Sequence, residues 1–354
     1  MLRLAARAAS ALALAGALVL NAGTPALADP PVPAATDIVG AGSPVTQSLY
    51  NQFSADYNAS LAAAGNTTSP RLYSWDGTGN AYITPKTGAE SIVRPPHTLW
   101  GLFQLAATTS RTLDFARTNR GPQTGDREDA LFVALAKDAV TWAAPAGGHA
   151  PANLSAWMLK QIYTCAYTNW QQIDPALPNA TIHPVLPSAR GDLADTALAF
   201  FRGLSYTLGS YTSFGDCVTV TGAENQGTSA VLQDPDAIVP YSVGRYVGQV
   251  YGGHTTPGDG PGALTLRSLE GIAPLSPQDT GATISRSLAL TEFGYVLTTA
   301  VRRGDWDAGD AHATALRSIF GIRGWTCSPT GLAVVRSHGF LVLPMGACGV
   351  TLHI

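Results

Sequence analysis

The chain predicts an α/β protein of two domains. Three observations carry this. Strand-like and helix-like patterns alternate along its length, as they do where helices pack on a mostly parallel sheet. The chain left after an export signal, roughly 325 residues, exceeds what one hydrophobic core usually supports. Glycine-rich and polar turns repeatedly follow short apolar runs, the arrangement that places ligand clefts at strand ends in such folds.

The first 28 residues read as a secretory signal. Arg3 and Arg7 precede the apolar run "AASALALAGALVLNAG", and "ALA" (Ala26 to Ala28) is a small-residue cleavage site before Asp29. No cysteine stands near that site, so a secreted, soluble protein that is not a lipoprotein is expected. Residues 29–36, "DPPVPAAT", read as a short leader. The formal net charge is −3, and losing Arg3 and Arg7 with the signal takes it to −5. That mild acidity argues against nucleic acid and against anionic membranes. The basic residues are nearly all arginine, with Lys86, Lys137 and Lys160 the three lysines, a compositional bias without functional content.

"TDIVGAGSPVTQSLYNQFSADYN" gives a strand at Ile38 and Val39, a turn at Gly40 and Gly42, an N-cap at Ser43, and Pro44 at the first helical position. Val45, Leu49 and Phe53 then share one helix face. "RLYSWDG" and "RTLDFARTNRGP" read as strands running into polar turns. Asn153 is expected to cap a helix with a Leu154, Met158, Ile162 stripe, and "IHPVL" is a strand. In "VLPSARGDLADTALAFF" Asp192 stands as the N-cap of a helix carrying Leu193, Ala197, Phe200 and Phe201. "DAIVPYSVGRYVGQVYGG" gives a strand, a helix and a glycine stop; "GGHTTPGDGPGA" (Gly252 to Ala263) marks a boundary, and "GFLVLPMGACGVTLHI" is strand-like.

Enzymatic chemistry finds no support. Gly-x-Ser-x-Gly and His-Glu-x-x-His are both missing, and no histidine pairs with a second ligand at metal spacing. "DWDAGDAH" lacks the terminal Glu of a calcium loop. Arg190-Gly191-Asp192 spells an adhesion tripeptide, too short to be specific. No metal and no cofactor is expected. The four cysteines suit an oxidising compartment and allow three pairings. Cys165 with Cys217 and Cys327 with Cys348 is favoured, because it keeps each bridge inside one expected domain.

The turns "GAGSPVT", "ARTNRGP" and "PSARGDL" are the combination that points to function. They resemble the phosphate-type substrate-binding proteins of ABC importers, over most of the chain after the signal. "VGAGSPVTQ" is similar to that family's opening strand and Gly-x-Gly-Ser turn. "LDFARTNRGP" resembles its second turn, "NLSAWMLKQIYTCAYTNWQQIDPAL" is the most specific match, and "ENQGTSAVLQDPDAIVPYSVGRYV" resembles the return toward the first domain. The resemblance implies a two-domain periplasmic-binding-protein type II fold with the ligand cleft between the domains. Residues 37–136 plus 254–354 would form domain one, and 137–253 domain two. It implies a non-enzymatic, monomeric protein that captures a small solute, phosphate or another oxyanion, and passes it to an ABC transporter permease. The implied ligand contacts are Ser43, Val45, Thr46, Thr98, Thr118, Asn119, Ser188, Arg190 and Gly191.

The sequence also departs from that family. Where it carries Gly-Ser-Gly-Thr, this chain has Arg190, Gly191, Asp192 and Leu193; where Gly-Ser-Ser is usual, it has His97, Thr98 and Leu99. Pro44 removes a backbone donor, and Asn119 stands where an Asp is often kept. Asp192, helped by Asp195, is expected to satisfy the helix's free N–H groups itself. Like charges ~4 Å apart repel by ~4 kcal/mol at an effective dielectric near 20. A self-closed loop is therefore favoured over a remodelled ligand site, with poor phosphate binding as the consequence. The alternatives are a true phosphate-binding subunit with altered loops, and a secreted envelope or interaction protein that kept the scaffold and lost the site.

Overall fold

The computed structural model describes residues 29–108, 111–208, 213–255 and 258–353. The expected export signal and its cleavage site at Ala28 lie outside them. Eleven strands join one mixed sheet among the described residues. Its main path uses β1 (Ile38–Gly42), β2 (Leu72–Ser74), β3 (Phe115–Thr118), β4 (Ala130–Pro145), β5 (His183–Leu186), β6 (Thr219–Val220), β7 (Ala237–Ser242) and β8 (Gly294–Arg302), in the spatial order β6-β5-β7-β4-β8-β3-β1-β2. The principal helices are α1 (Gln47–Ala63), α2 (Thr98–Ala107), α3 (Ala156–Tyr163), α4 (Asp195–Leu208), α5 (Val243–Val250), α6 (Ala311–Phe320) and α7 (Pro329–Ser337). No helix among the described residues is long and apolar enough to cross a membrane.

β1 pairs in parallel with β2 and β3 and is buried along its whole length, so it reads as a continuous apolar run. Gly40 and Gly42 belong to this strand and not to the turn expected of them. A Cβ at Gly40 would meet the Phe115 ring at 2.2 Å, so only glycine fits beneath that ring. Ser43 and Pro44 then open a single 3-10 turn, Pro44–Thr46, which leads into α1. Leu49, Phe53 and Tyr57, four residues apart, form the buried stripe of α1.

β4 ties the sheet together. Its first half pairs with β8, from Leu131 opposite Val301 to Ala139 opposite Gly294. Its second half pairs with β7, from Val140 opposite Ser242 to Ala143 opposite Val239. Both of its faces are buried almost throughout. Asp138 sits where the two pairings meet and is fully buried. It accepts hydrogen bonds from Ser242 Oγ (2.6 Å), Tyr295 Oη (2.7 Å) and the N–H groups of Gly244 and Ala139 (2.8 and 2.7 Å). Burial raises its pKa, and these four donors work against that shift.

The two ends of the described chain share a core. Phe320 of α6 lies 5.0 Å from Phe115 and 6.4 Å from Tyr50, and Trp325 packs edge-on to Phe53 at 5.7 Å. On the other side of β4, Tyr163 of α3 meets Phe200 of α4 edge-on at 5.5 Å. Ser155, and not Asn153, caps α3 by accepting from Met158 N. Asn153 and Leu154 pair instead with Ser268 and Leu269. Disulfides join Cys165 to Cys217 and Cys327 to Cys348, the favoured pairing. They close loops of 52 and 21 residues, worth roughly 3–4 kcal/mol each in the loop-entropy model.

Candidate functional site

The apolar core carries the turns after β1 and β3 and the N-terminus of α2 into one place. Arg117, in β3, is fully buried there. It donates to the carbonyls of Ser43 (3.1 Å), Gly42 (2.9 Å) and Trp75 (2.7 Å) and to Ser74 Oγ. Among the described residues no carboxylate bonds it directly. Burial pushes its pKa down to about 10, while the charges of Asp76, the Tyr50 phenol and Asp195 oppose the shift. A guanidinium thus lies at the base of the site with its fork spent on backbone, fixing the turn that follows β1.

An α-helix leaves its first N–H groups free, and their dipoles favour an anion. At the start of α2 that anion is Asp195. Its carboxylate accepts from Thr98 N at 3.1 Å to each oxygen and lies 2.9 Å from Thr98 Oγ1. Asp195 is the first residue of α4, so the bond joins two helices 97 positions apart in sequence. Asn119 completes the cluster: its N–H donates to Thr98 Oγ1 at 3.2 Å and its Nδ2 to the Asp195 carbonyl at 3.0 Å. All three residues are buried.

A second carboxylate occupies the start of α4. Glu224 Oε2 accepts from Thr196 N at 2.7 Å and lies 2.5 Å from Thr196 Oγ1. Burial first, then the nearby Asp195 charge, push the Glu224 carboxyl up to about 8. A carboxyl that stays protonated at neutral pH relieves the repulsion between the two acids. The third opening, at Pro44–Thr46, is not closed in this way: Ser43 Oγ and Thr46 Oγ1 are buried without a hydrogen-bond partner among the described residues.

The structure corrects the expected role of Asp192. That residue lies in a two-residue strand before α4 and not at its cap. Ser188–Ala189 and Asp192–Leu193 form a tight hairpin, with Ala189 opposite Asp192 and Ser188 opposite Leu193. Its turn residues, Arg190 and Gly191, have φ of 54° and 90°, as a two-residue turn with the twist of the flanking strands requires. Asp192 Oδ2 accepts from Trp100 Nε1 at 3.2 Å and lies 3.3 Å from His97 Nε2, which together lower its pKa. The helix is closed by a carboxylate, as expected, but it is Glu224's; Asp195 closes the neighbouring helix.

The expected contacts therefore divide. Thr98 and Asn119 bond Asp195, Arg117 holds the Ser43 carbonyl, and Thr46 is buried in the 3-10 turn that follows. Val45 is part of the apolar core. Thr118 turns toward β8, with its Oγ1 2.5 Å from Thr298 Oγ1. Ser188, Arg190 and Gly191 sit on the hairpin, where the Arg190 guanidinium donates to the Ala81 carbonyl at 3.2 Å. Glu224, Arg117 and Asp76 were not singled out from sequence. Each is a lone charge inside a short polar or apolar run, and only its burial makes it notable.

Likeness to solved structures lies in the fold. An ABC-type phosphate transport receptor from Vibrio cholerae superposes with a TM-score of 0.58 at 14% identity, covering 87% of this chain and 100% of that one. A protein from Clostridium perfringens, solved with bound phosphate and described as a phosphate ABC transporter substrate-binding protein, gives a TM-score of 0.60 at 11% identity, with the same coverage of 87% and 100%. No family model matches the sequence, and no curated protein does. The chain has the expected mixed α/β architecture and shares its fold with these two structures.

Proposed function

We propose that this is a secreted, non-enzymatic solute-binding protein on the phosphate-importer scaffold, in which the chain's own carboxylates hold the position an oxyanion would take. The observation that carries this is Asp195 seated on Thr98 N and Oγ1, with Glu224 seated on Thr196. A dianion at the start of α2 must displace Asp195 or lie against it. Either route costs several kcal/mol at the dielectric of a protein site. Solute capture is then directed to something other than phosphate, in the cleft between residues 37–136 plus 254–354 and residues 137–253. The protein acts as a monomer released after Ala28, and delivery to an ABC permease accords with the fold.

Bonds between the two halves also favour a second reading, a secreted interaction protein with a sealed cleft. Asp195 to Thr98, and Asp192 to His97 and Trp100, all run from the stretch before and at the start of α4 to α2 and its cap. A panel of solutes read by melting temperature separates the two, since a ligand stabilises the native state by mass action. The solute-binding reading expects one solute to raise the melting temperature of the purified protein and phosphate to leave it unchanged. A phosphate response overturns the sealed anion position. A panel without any response, together with recovery of a protein partner, moves the function to the second reading.

A further inference from the structure

Beside the sealed carboxylates the cleft widens into a cavity of about 1150 Å3. A tetrahedral oxyanion needs only a small part of that, and the volume slightly exceeds the roughly 300–1,000 Å3 of usual sites for organic molecules. The wall is charged by composition but largely neutralised in practice. Arg94 forms a two-pronged ion pair with Asp29 at 2.6 and 2.7 Å, and Arg245 pairs with Asp259 at 2.6 Å. His254 and His338 stack at 3.6 Å, and burial lowers the pKa of both, to about 3 for His338. Asp76 receives Asn51 Nδ2 at 2.8 Å, and burial pushes its carboxyl up to about 6. Two buried polar atoms are left over on this wall: Glu224, only 7% exposed, has Oε1 and His254 has Nε2 without a hydrogen-bond partner among the described residues. Side-chain amides of Gln47, Asn51 and Gln226 line the same space.

We propose that this cavity binds an uncharged, polyhydroxylated solute, a polyol or short saccharide, whose hydroxyls are read by Glu224 Oε1 and by the amides of Asn51 and Gln226. Ions of either sign are disfavoured. The strongest charges on the wall already hold partners, Arg94 with Asp29 and Arg245 with Asp259, so an incoming ion must break a pair to gain one. A hydroxyl group both donates and accepts, which suits a wall of amides and a carboxyl. A buried Glu224 Oε1 left unpaired is costly, so a ligand that supplies its partner gains affinity there.

The proposal rests on the solute-capture reading and names its ligand class. Calorimetry on the purified protein with glucose, maltose, trehalose and sorbitol, and with lysine, spermidine and phosphate as counter-probes, tests it. One of the four hydroxylated probes is expected to bind. Gln226→Trp, which narrows the cavity beside Glu224, should weaken that binding about tenfold or more while leaving the melting temperature of the free protein within a few degrees. Binding of lysine or spermidine that the same variant weakens overturns the ligand class and leaves solute capture standing. Hydroxylated-probe binding that ignores the variant places the site elsewhere and overturns the proposal. If none of these probes binds, the proposal falls, and the reading beneath it falls with it once the wider melting panel is also silent.

Discussion

Replacing Asp195 by serine should convert a sealed helix start into an anion site. The carboxylate makes three contacts with Thr98, at 3.1, 3.1 and 2.9 Å, in a fully buried setting. Hydrogen bonds to a charged group are worth about 1.5–3 kcal/mol. The variant should therefore unfold about 2–3 kcal/mol more easily, because Thr98 N loses its partner. An oxyanion can restore that partner. Removing a like charge ~4 Å away relieves ~4 kcal/mol at an effective dielectric near 20, close to three decades in affinity. Arg117 stays at the base of the site, with one fewer acid to offset it. Glu224 also loses the charge that helps to raise its pKa, so it ionises more readily and cancels part of the gain. The net expectation is a gain of one to two decades, read as a melting temperature higher in sulfate than in chloride of equal ionic strength. A variant as stable as the parent, or one equally indifferent to sulfate, would refute the assignment of Asp195 as the resident anion.

Other expectations follow from the same geometry. The folded-state pKa of Glu224, about 8, lies above its ordinary 4.5. The native chain therefore keeps a proton that the unfolded chain gives up, and stability falls as pH rises through this window, by up to ~1.4 kcal/mol per pH unit. Glu224→Gln should flatten that dependence between pH 5.5 and 7.5 by on the order of 2 kcal/mol relative to the parent, measured by urea unfolding; parallel curves would contradict the shift. Asp192→Ser should cost less than about 1 kcal/mol and leave phosphate affinity unchanged, since that carboxylate is largely exposed and closes no helix; a new phosphate heat would return it to the site. Peptide mapping without reduction should recover Cys165 linked to Cys217 and Cys327 linked to Cys348, and a thiol titration should find no free cysteine.

Much of the frame was legible because it rests on local rules. Apolar runs ending in Gly, Ser, Thr or Asn marked β1, β3 and the polar loop before α4, and the turns near Ser43, Thr98 and Asn119 do converge. β4 escaped notice because "ALFVALAKDAVTWAAP" is apolar on both faces and shows neither a period of two nor a helical one. The identity of the sealing acid was also out of reach. Asp192 fits a cap by position, but the Arg190–Gly191 turn folds it back into a hairpin and shifts the helix start to Asp195. Glu224 reaches Thr196 across 28 residues and Asp195 reaches Thr98 across 97, and such pairings follow from sheet order and not from spacing.

Calorimetric titration of phosphate into the unaltered protein at neutral pH tests the central claim most directly. With Asp195 and Glu224 holding the two helix starts, the account predicts no saturable heat below about millimolar phosphate. A one-to-one isotherm with a submicromolar Kd would contradict it.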